Sequence, residues 1–401
     1  MIKISQNFIE EMKKINLSLI FGAERDYLIQ TLSFLKADAL SYSERLKINL
    51  YGVHYKEIDK RGFLRGLLLK ENLEIKEKKF IPSLIPDAIW ILHLPRDEER
   101  FLHQNISLFF KKFPLLQINP YLSTKRAEDK FRTLNLWLSR GLSTPGGIII
   151  RKKEQKEKED KLKRFLKKVN RPLYLQPNKG TEGRDTFRVE CAKKREIISL
   201  IDYLLLEDDV LIREERGNLF YFKEKERGMR RVVFRINVGY NGKKFIADSG
   251  FAEVCLEEKS FITSPERGGE IKSINEVLAN LYFIQRGRKY RFIPHPLEIE
   301  KIKETAETSL LALNWGLNEE EFLKFAGVDL LLEVNGKGKL NPLPLEINPR
   351  PAGLNHSEEI KGISQDLPRR KITSSLFELL QGNVGNYPQL TEKKSPRYSY
   401  K

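Results

Sequence analysis

Apolar and polar positions change their rhythm three times along this chain. The stretch "NLSLIFGAERDYLIQTLSFL" begins as a short apolar strand and turns at Gly22-Ala23. It then continues with Leu28, Leu32 and Leu35 at helical spacing. "AIWILHL" (88–94) is a continuous apolar run suited to a buried strand, and "PLLQINP" (114–120) is a second, bounded by prolines. Residues 1 to about 118 therefore predict a small α/β unit with a partly parallel sheet.

The rhythm shifts after Pro120. Ser123 is placed to cap one helix over "TKRAEDKFRTLNLWLSRG", which ends at Gly141. "STPGGIIIRKK" reads as a turn and a short strand. "EKEDKLKRFLKKV" has the look of low complexity, yet Leu162, Phe165, Leu166 and Val169 share one face, so it predicts an amphipathic surface helix. From Arg171 strands dominate: "PLYLQP", "TFRVE", "DVLIREE", "NLFYFKE" and "RRVVFRINVGYNGKKFIADSGFAEVCLEE". In the last of these Val232, Phe234, Ile236 and Val238 alternate with Val233, Arg235 and Asn237, and "YNGKK" is a hairpin turn built on Asn-Gly. Helices are predicted at roughly 273–286 and 297–315, the second closed by Gly316. "VDLLLEVNGKGKLNPLPLEINP" then reads as two strands joined by a polar turn. No internal repeat is visible.

Composition narrows the class. The chain has 401 residues, 40% of them hydrophobic and 10% aromatic, which describes a folded globular protein of two or three lobes. No apolar run approaches the length that spans a bilayer, and residues 1–7 lack a signal-peptide core. With only Cys191 and Cys255, no disulfide framework is implied, and two inert thiols in a reducing cytoplasm are expected. The net charge is +17, from 72 Lys+Arg against 55 Asp+Glu. A nucleic-acid partner would follow if those cations formed a groove, but they are mixed with glutamates throughout, as in "KENLEIKEKKF". The charge fits an enzyme of polyphosphate substrates equally well.

The last two strands carry the chemistry. "GVDLLLE" places Asp329 in an apolar run, and "PLPLEINPRPAGLNHS" places Glu346, Asn348 and Arg350 at alternate positions, facing one side of a strand. Two carboxylates and an amide oxygen suit Mg²⁺ bridging a triphosphate, because Mg²⁺ takes hard oxygen ligands and shares them with phosphate. A guanidinium beside them suits the charge of a transferring phosphoryl group.

Here the chain resembles the ATP-grasp superfamily, whose C-terminal signature is a Gly-x-Asp strand followed by a strand ending in Glu-x-Asn. "AGVDLLLEVNGKGKLNPLPLEINPRPAGLNH" matches both halves, and the resemblance extends over about 115–383. It implies an α/β plus α+β architecture: a pre-ATP-grasp, Rossmann-like domain over 1–118, a small lid subdomain over 119–205, a C-terminal subdomain over 206–385 and a basic tail over 386–401. It implies Asp329, Glu346 and Asn348 as ligands of Mg²⁺ (or Mn²⁺), and Arg350 as a contact of phosphate or acyl phosphate. Lys130 takes the place of a helix-borne lysine that reaches the nucleotide phosphates. "RPLYLQPNKGTEGRDTFRV" resembles the strand–glycine loop–strand that folds over the phosphates, with Gln176, Lys179, Gly180, Thr181, Gly183 and Arg184 within it. Such a loop joins two strands, whereas a P-loop or dinucleotide fingerprint opens a helix. "DDVLIREERGNLFYF" resembles the hinge that holds adenine, with Glu214 or Glu215 near adenine or ribose. Arg267, Gly268 and Gly269 fall in a second mobile loop over the acceptor site, where Arg235 and His356 are also expected. The implied activity is an ADP-forming carboxylate–amine ligase acting on amino-acid or peptide-like substrates, and a homodimer is compatible with it.

One departure stands out. Relatives usually carry Lys-Pro before the loop asparagine, where this chain has Gln176-Pro177. Either Lys179 or Arg184 supplies the missing cation, or the protein is a weakened ATP-binding relative with a regulatory or assembly role. His54, His93, His103 and His295 are scattered and expected in the core or on the surface.

Overall fold

The computed structural model of the chain describes residues 15–22, 25–42, 48–70, 72, 74–94, 99–180, 183–224, 228–351, 353–360 and 373–383. Ala23 of the expected first turn, Thr181 of the glycine-rich loop and the tail over 386–401 lie outside the described residues.

Three sheets follow one another. The first holds β1 (Ile15–Phe21), β2 (Ile48–His54), β3 (Ile58–Asp59), β4 (Gly62–Leu69), β5 (Ile75–Leu84), β6 (Ala88–His93) and β7 (Leu116–Ile118). Their order is β3-β4-β2-β1-β6-β7, with β5 added to β4. The run β2-β1-β6-β7 is parallel, and β4 joins it antiparallel. Helices α1 (Arg25–Tyr42) and α2 (Glu99–Phe110) supply the connections that parallel strands require. Leu17 and Leu19 face one buried cluster with Leu32, Leu35 and Trp90, while Ile20 faces another with Val53, Ile91 and Phe110. Burial on both faces is why these strands read as unbroken apolar runs.

Helices α3 (Tyr121–Glu128) and α4 (Lys130–Ser139) follow. The single helix expected from Ser123 is in fact two. Ser123 lies inside α3, with its hydroxyl donating to the Pro120 carbonyl at 3.1 Å, and Asp129 interrupts the run. The Asp129 carboxylate caps α4 by accepting from the Arg132 amide at 2.9 Å. An aspartate competes with helical backbone bonding in this way and starts a new helix.

The second sheet, β10-β9-β11-β8, is built from β8 (Gly147–Ile150), β9 (Leu173–Pro177), β10 (Phe187–Val189) and β11 (Val210–Glu214), all antiparallel. The amphipathic faces of α5 (Lys158–Leu166) and α6 (Lys194–Leu204) cover it, with Leu162, Phe165, Ile197 and Ile201 against Leu173, Leu175, Val210 and Ile212. Although β11 lies beyond residue 205, its partners are β8 and β9.

The third sheet holds β12 (Phe220–Tyr221), β13 (Arg230–Tyr240), β14 (Phe245–Val254), β15 (Glu270–Lys272), β16 (Leu281–Gln285), β17 (Arg288–Phe292), β18 (Phe325–Val334), β19 (Leu340–Asn348) and β20 (Glu358–Glu359). Three helices accompany it: α7 (Ile274–Ala279), α8 (Pro296–Asn314) and α9 (Ser374–Asn383). The helix expected over 273–286 is confined to α7, and the rest is the hairpin of β16 and β17. Arg286 and Gly287 take φ of 49° and 73°, the two left-handed residues of a primed hairpin turn. Gly took the position that such a turn needs, but the Arg before it hid the signal.

The first and third sheets share one core, in which Trp90 meets Phe325 edge-on at 5.1 Å between ring centroids. Asn119, just past β7 and 1% exposed, ties them with its side chain. It donates to the carbonyls of Phe325 and Pro349 at 2.5 Å each, and accepts from the amides of Lys324 and Phe325 at 3.0 Å each. One amide thus anchors the start of β18 and the exit of β19. Among the described residues no helix is long and apolar enough to cross a membrane.

Candidate active site

The hairpin of β18 and β19 brings Asp329 directly opposite Glu346. A register shift between Asp329 and Leu330 leaves Leu345 without a partner, a bulge that bends β19 at this point. Asn348 donates its side-chain amide to Asp329 at 3.0 Å, so Asp329, Glu346 and Asn348 do share one site. From β13, Arg235 grips Asp329 with two bonds of 2.7 and 2.9 Å and reaches Glu253 of β14 at 3.1 Å. Burial works against the Arg235 charge, but Asp329 and Glu253 more than offset it and raise its pKa. Burial raises the Asp329 carboxyl against the pull of Arg235. Burial also acts on Glu346, yet Lys130, Arg235 and Arg213 together hold it below the usual carboxylate range. Burial pushes Glu253 up to about 7.

Lys130 opens α4, where Asp129 broke the helix, and its ammonium points inward. It lies 3.2 Å from the Glu346 carboxylate, donates to the Gly180 carbonyl at 2.6 Å and approaches the Gln176 side-chain oxygen at 3.5 Å. Asn178 holds this end of α4 from the base of the loop. Its Oδ1 accepts from the Phe131 amide at 2.8 Å and its Nδ2 donates to Asp129 at 2.9 Å. Gln176 is thus an acceptor for Lys130.

Arg350 lies past the end of β19. It donates to Glu128 at 2.7 Å and to His103 Nδ1 at 2.9 Å. His103 is fully buried and its Nε2–H donates to the Asn119 carbonyl at 3.0 Å. Burial, with Arg350 beside it, pushes the His103 pKa down to about 3, so the ring is a neutral acceptor for the guanidinium. Arg100 of α2 completes the chain, bonding Glu128 at 3.2 Å and the Lys179 carbonyl at 3.1 Å.

The loop residues are spread more widely. The side chains of Lys179 and Arg184 are exposed, Arg184 lying 3.4 Å from Asp185, and neither contacts the Lys130–Glu346 pair. Gly180 is in the site through its carbonyl. Gly183 packs on the second loop: a Cβ there would lie 3.2 Å from Ile262. Tyr174 of β9, at the base of the first loop, also meets Phe261 of the second with ring centroids 5.9 Å apart. Arg267 and Gly268 are exposed, and Gly269 backs onto the Thr263 carbonyl. Thr263 in turn donates to Glu253 at 3.3 Å. His356 is exposed beside Phe251. At the hinge, Glu214 accepts from the Gly146 amide at 3.0 Å and from Arg216 at 3.2 Å. Glu215 is committed to Arg188, Arg231 and Tyr174.

Among the described residues no three His, Cys, Asp or Glu side chains gather to hold a metal by themselves. Two facing carboxylates and an amide oxygen fit instead a Mg²⁺ that completes its shell with phosphate oxygens. The sequence reading missed Arg213, Glu253, Glu128 and His103. Arg213 and Glu253 were visible as charged residues in otherwise apolar stretches, "VLIREE" and "FAEVC", whereas Glu128 lies in the polar run "STKRAEDKFR", and only the fold shows what each faces.

No protein-family model matches the sequence, and no curated protein matches it. Solved structures do match over nearly the whole chain. The VanG D-Ala:D-Ser ligase from Enterococcus faecalis is 17% identical with a TM-score of 0.55, covering 92% of this chain and 100% of its own. A D-cycloserine synthetase is 13% identical with a TM-score of 0.54, covering 91% and 99%. The D-alanine-D-alanine ligase from Coxiella burnetii is 13% identical with a TM-score of 0.51, covering 93% and 95%. What the chain shares with them is the fold, an ATP-grasp module behind an N-terminal α/β domain, as the sequence resemblance implied.

Proposed function

We propose that this chain is an ATP-dependent ligase that activates a carboxylate as an acyl phosphate and joins it to the amine of an amino acid or peptide-like substrate. The observation that carries the reading is the convergence of Lys130, Glu346, Asp329 and Asn348 under the glycine-rich loop. Structural neighbours named as ligases of D-alanine with D-alanine or D-serine share this fold, and the donor set here supports the same type of reaction.

A substrate carboxylate oxygen attacks the γ-phosphorus in line, and the bond to the bridging oxygen of ADP breaks. The amine then attacks the acyl carbon, phosphate leaves with the bonding pair, and the amine proton passes to solvent or a neighbouring base. Asp329, Glu346 and Asn348 would hold Mg²⁺, which neutralises phosphate charge when bound. Lys130, now shared between Glu346 and the Gly180 carbonyl, exchanges that carbonyl for a phosphate oxygen. Arg350, hydrogen-bonded to Glu128 and His103, presents its charge in a fixed orientation to the acyl phosphate. The two touching loops exclude water, which would otherwise hydrolyse the intermediate. Glu214 and Glu215 are assigned to the adenine and ribose end, and Arg267 and His356 to the acceptor end.

A second reading, an ATP-binding protein with little turnover, is favoured by Gln176, which serves Lys130 as an acceptor and brings no charge of its own. Release of ADP and phosphate with pools of carboxylates and amines separates the two. Turnover dependent on both substrates supports the ligase, and Glu346→Gln abolishes it with little loss of fold. ATP binding without release from any pool favours the second reading.

A further inference from the structure

Arg213 is the most deeply buried arginine near the site, 2% exposed, and it points from β11 of the small sheet into the third sheet. It donates to the carbonyl of Leu345, the bulged residue before Glu346, at 2.5 Å. It also reaches the backbone carbonyl of Lys130 at 3.4 Å. Its Nε has no hydrogen-bond partner. Glu346 is the carboxylate that supports its charge, and only through space, so burial pulls its pKa down to about 10. The chain makes room for it. Gly147 is its cross-strand partner on β8, and a Cβ there would stand 3.0 Å from Arg213 Cγ and 2.7 Å from the Ile212 carbonyl.

We infer that Arg213 is a positioning residue, a latch that holds Lys130 and Glu346 in register across the junction of the small and large sheets. A buried cation answered chiefly by carbonyls is costly. Its position is explained by what it joins: the strand that leads to the hinge, the bulge that presents Glu346 and the helix start that presents Lys130. It also adds a third positive charge beneath the place where phosphates would sit, so binding of a polyanion relieves its electrostatic isolation. This last point rests on the ligase reading; the latch itself does not.

The test uses the full chain with Arg213→Met and Arg213→Lys. Two site readouts are taken beside the thermal midpoint: Mg-ATP affinity by calorimetry, and amide hydrogen exchange over 129–132 and 345–348 without nucleotide. Arg213→Met, of similar length and without charge, is expected to keep a thermal midpoint near that of the parent. Its Mg-ATP affinity falls at least tenfold and exchange in both segments speeds up at least tenfold. Arg213→Lys restores protection at 345–348 through one bond to Leu345, while 129–132 stays fast. A residue that merely filled space would lower the midpoint and leave both readouts alone. Parent-like affinity and exchange in Arg213→Met overturn the latch. Where that variant does not fold, parent-like exchange in both segments of Arg213→Lys does so. A parent that binds no Mg-ATP sinks the ligase reading alone, and the exchange data still decide the latch.

Discussion

Two arginines lie beneath the same few atoms and are treated in opposite ways. Arg235 passes its stem over Gly327, where a Cβ would come within 3.1 Å, and ends on two carboxylates. Arg213 passes beside Gly147 and ends on two backbone carbonyls. The first has its counter-ions built in, and its pKa is raised; the second has not, and its pKa is lowered. A fully answered charge serves the sheet that contains it. A charge hydrogen-bonded only to carbonyls marks a junction, because carbonyls from separate segments are what it brings together.

The strongest way to break this contrast is to remove each charge in turn. Arg235→Met leaves Asp329 and Glu253 uncompensated and is expected to cost about 3–5 kcal/mol in denaturant unfolding. Arg213→Met removes a charge that lacks a direct ion-pair partner and should shift stability by about 1 kcal/mol or less. Equal losses from the two would end the comparison. Next in size is Gly147→Ala, which drives a methyl against the Arg213 stem and the Ile212 carbonyl, with an expected loss of about 1–3 kcal/mol. In the background of Arg213→Ala most of the stem contact is gone, so a smaller loss there confirms which neighbour matters.

Arg350 extends the contrast, since its partners include a carboxylate and a neutral ring. His103 has a folded pKa of about 3 against an ordinary 6.5. Between those values the unfolded chain takes up a proton that the folded one refuses, so acid lowers stability by up to about 1.4 kcal/mol per pH unit. His103→Asn keeps an acceptor for Arg350 without the proton. Its denaturation midpoints at pH 7, 5.5 and 4.5 should therefore fall less steeply than those of the parent; parallel curves would show the ring to be charged already. A modest effect is expected of Gln176→Lys, which sets a second ammonium beside Lys130. Stability without nucleotide should drop by about 1 kcal/mol while Mg-ATP binds more tightly. Weaker Mg-ATP binding would instead show that Gln176 orients Lys130 for the ligand.

The alternation of Val232 to Val238 and the Glu-x-Asn strand made the third sheet and the acidic pair legible in sequence, because both depend on residues close in the chain. The hairpin of β16 and β17 was hidden. Its turn begins with Arg286, and nothing in Leu281–Gln285 separates a short strand from the end of a helix. The break at Asp129 was hidden for a different reason: Asn178, 49 residues away, stabilises it. Arg213 showed only as an odd charge in an apolar strand, and its meaning depends on Leu345, 132 residues on. Long-range partners are what periodicity cannot supply.

Asn119 has a consequence for how such a protein can be shortened or recombined. Its amide clasps the entry of one signature strand and the exit of the other, and β7 delivers it. Trimming away the first 118 residues would leave the acidic pair and Lys130 in the chain, yet remove the scaffold that sets Asn119, along with His103 and Arg100. The amino-terminal sheet is therefore no detachable appendage, and grafting it from a relative means transplanting part of the candidate site with it.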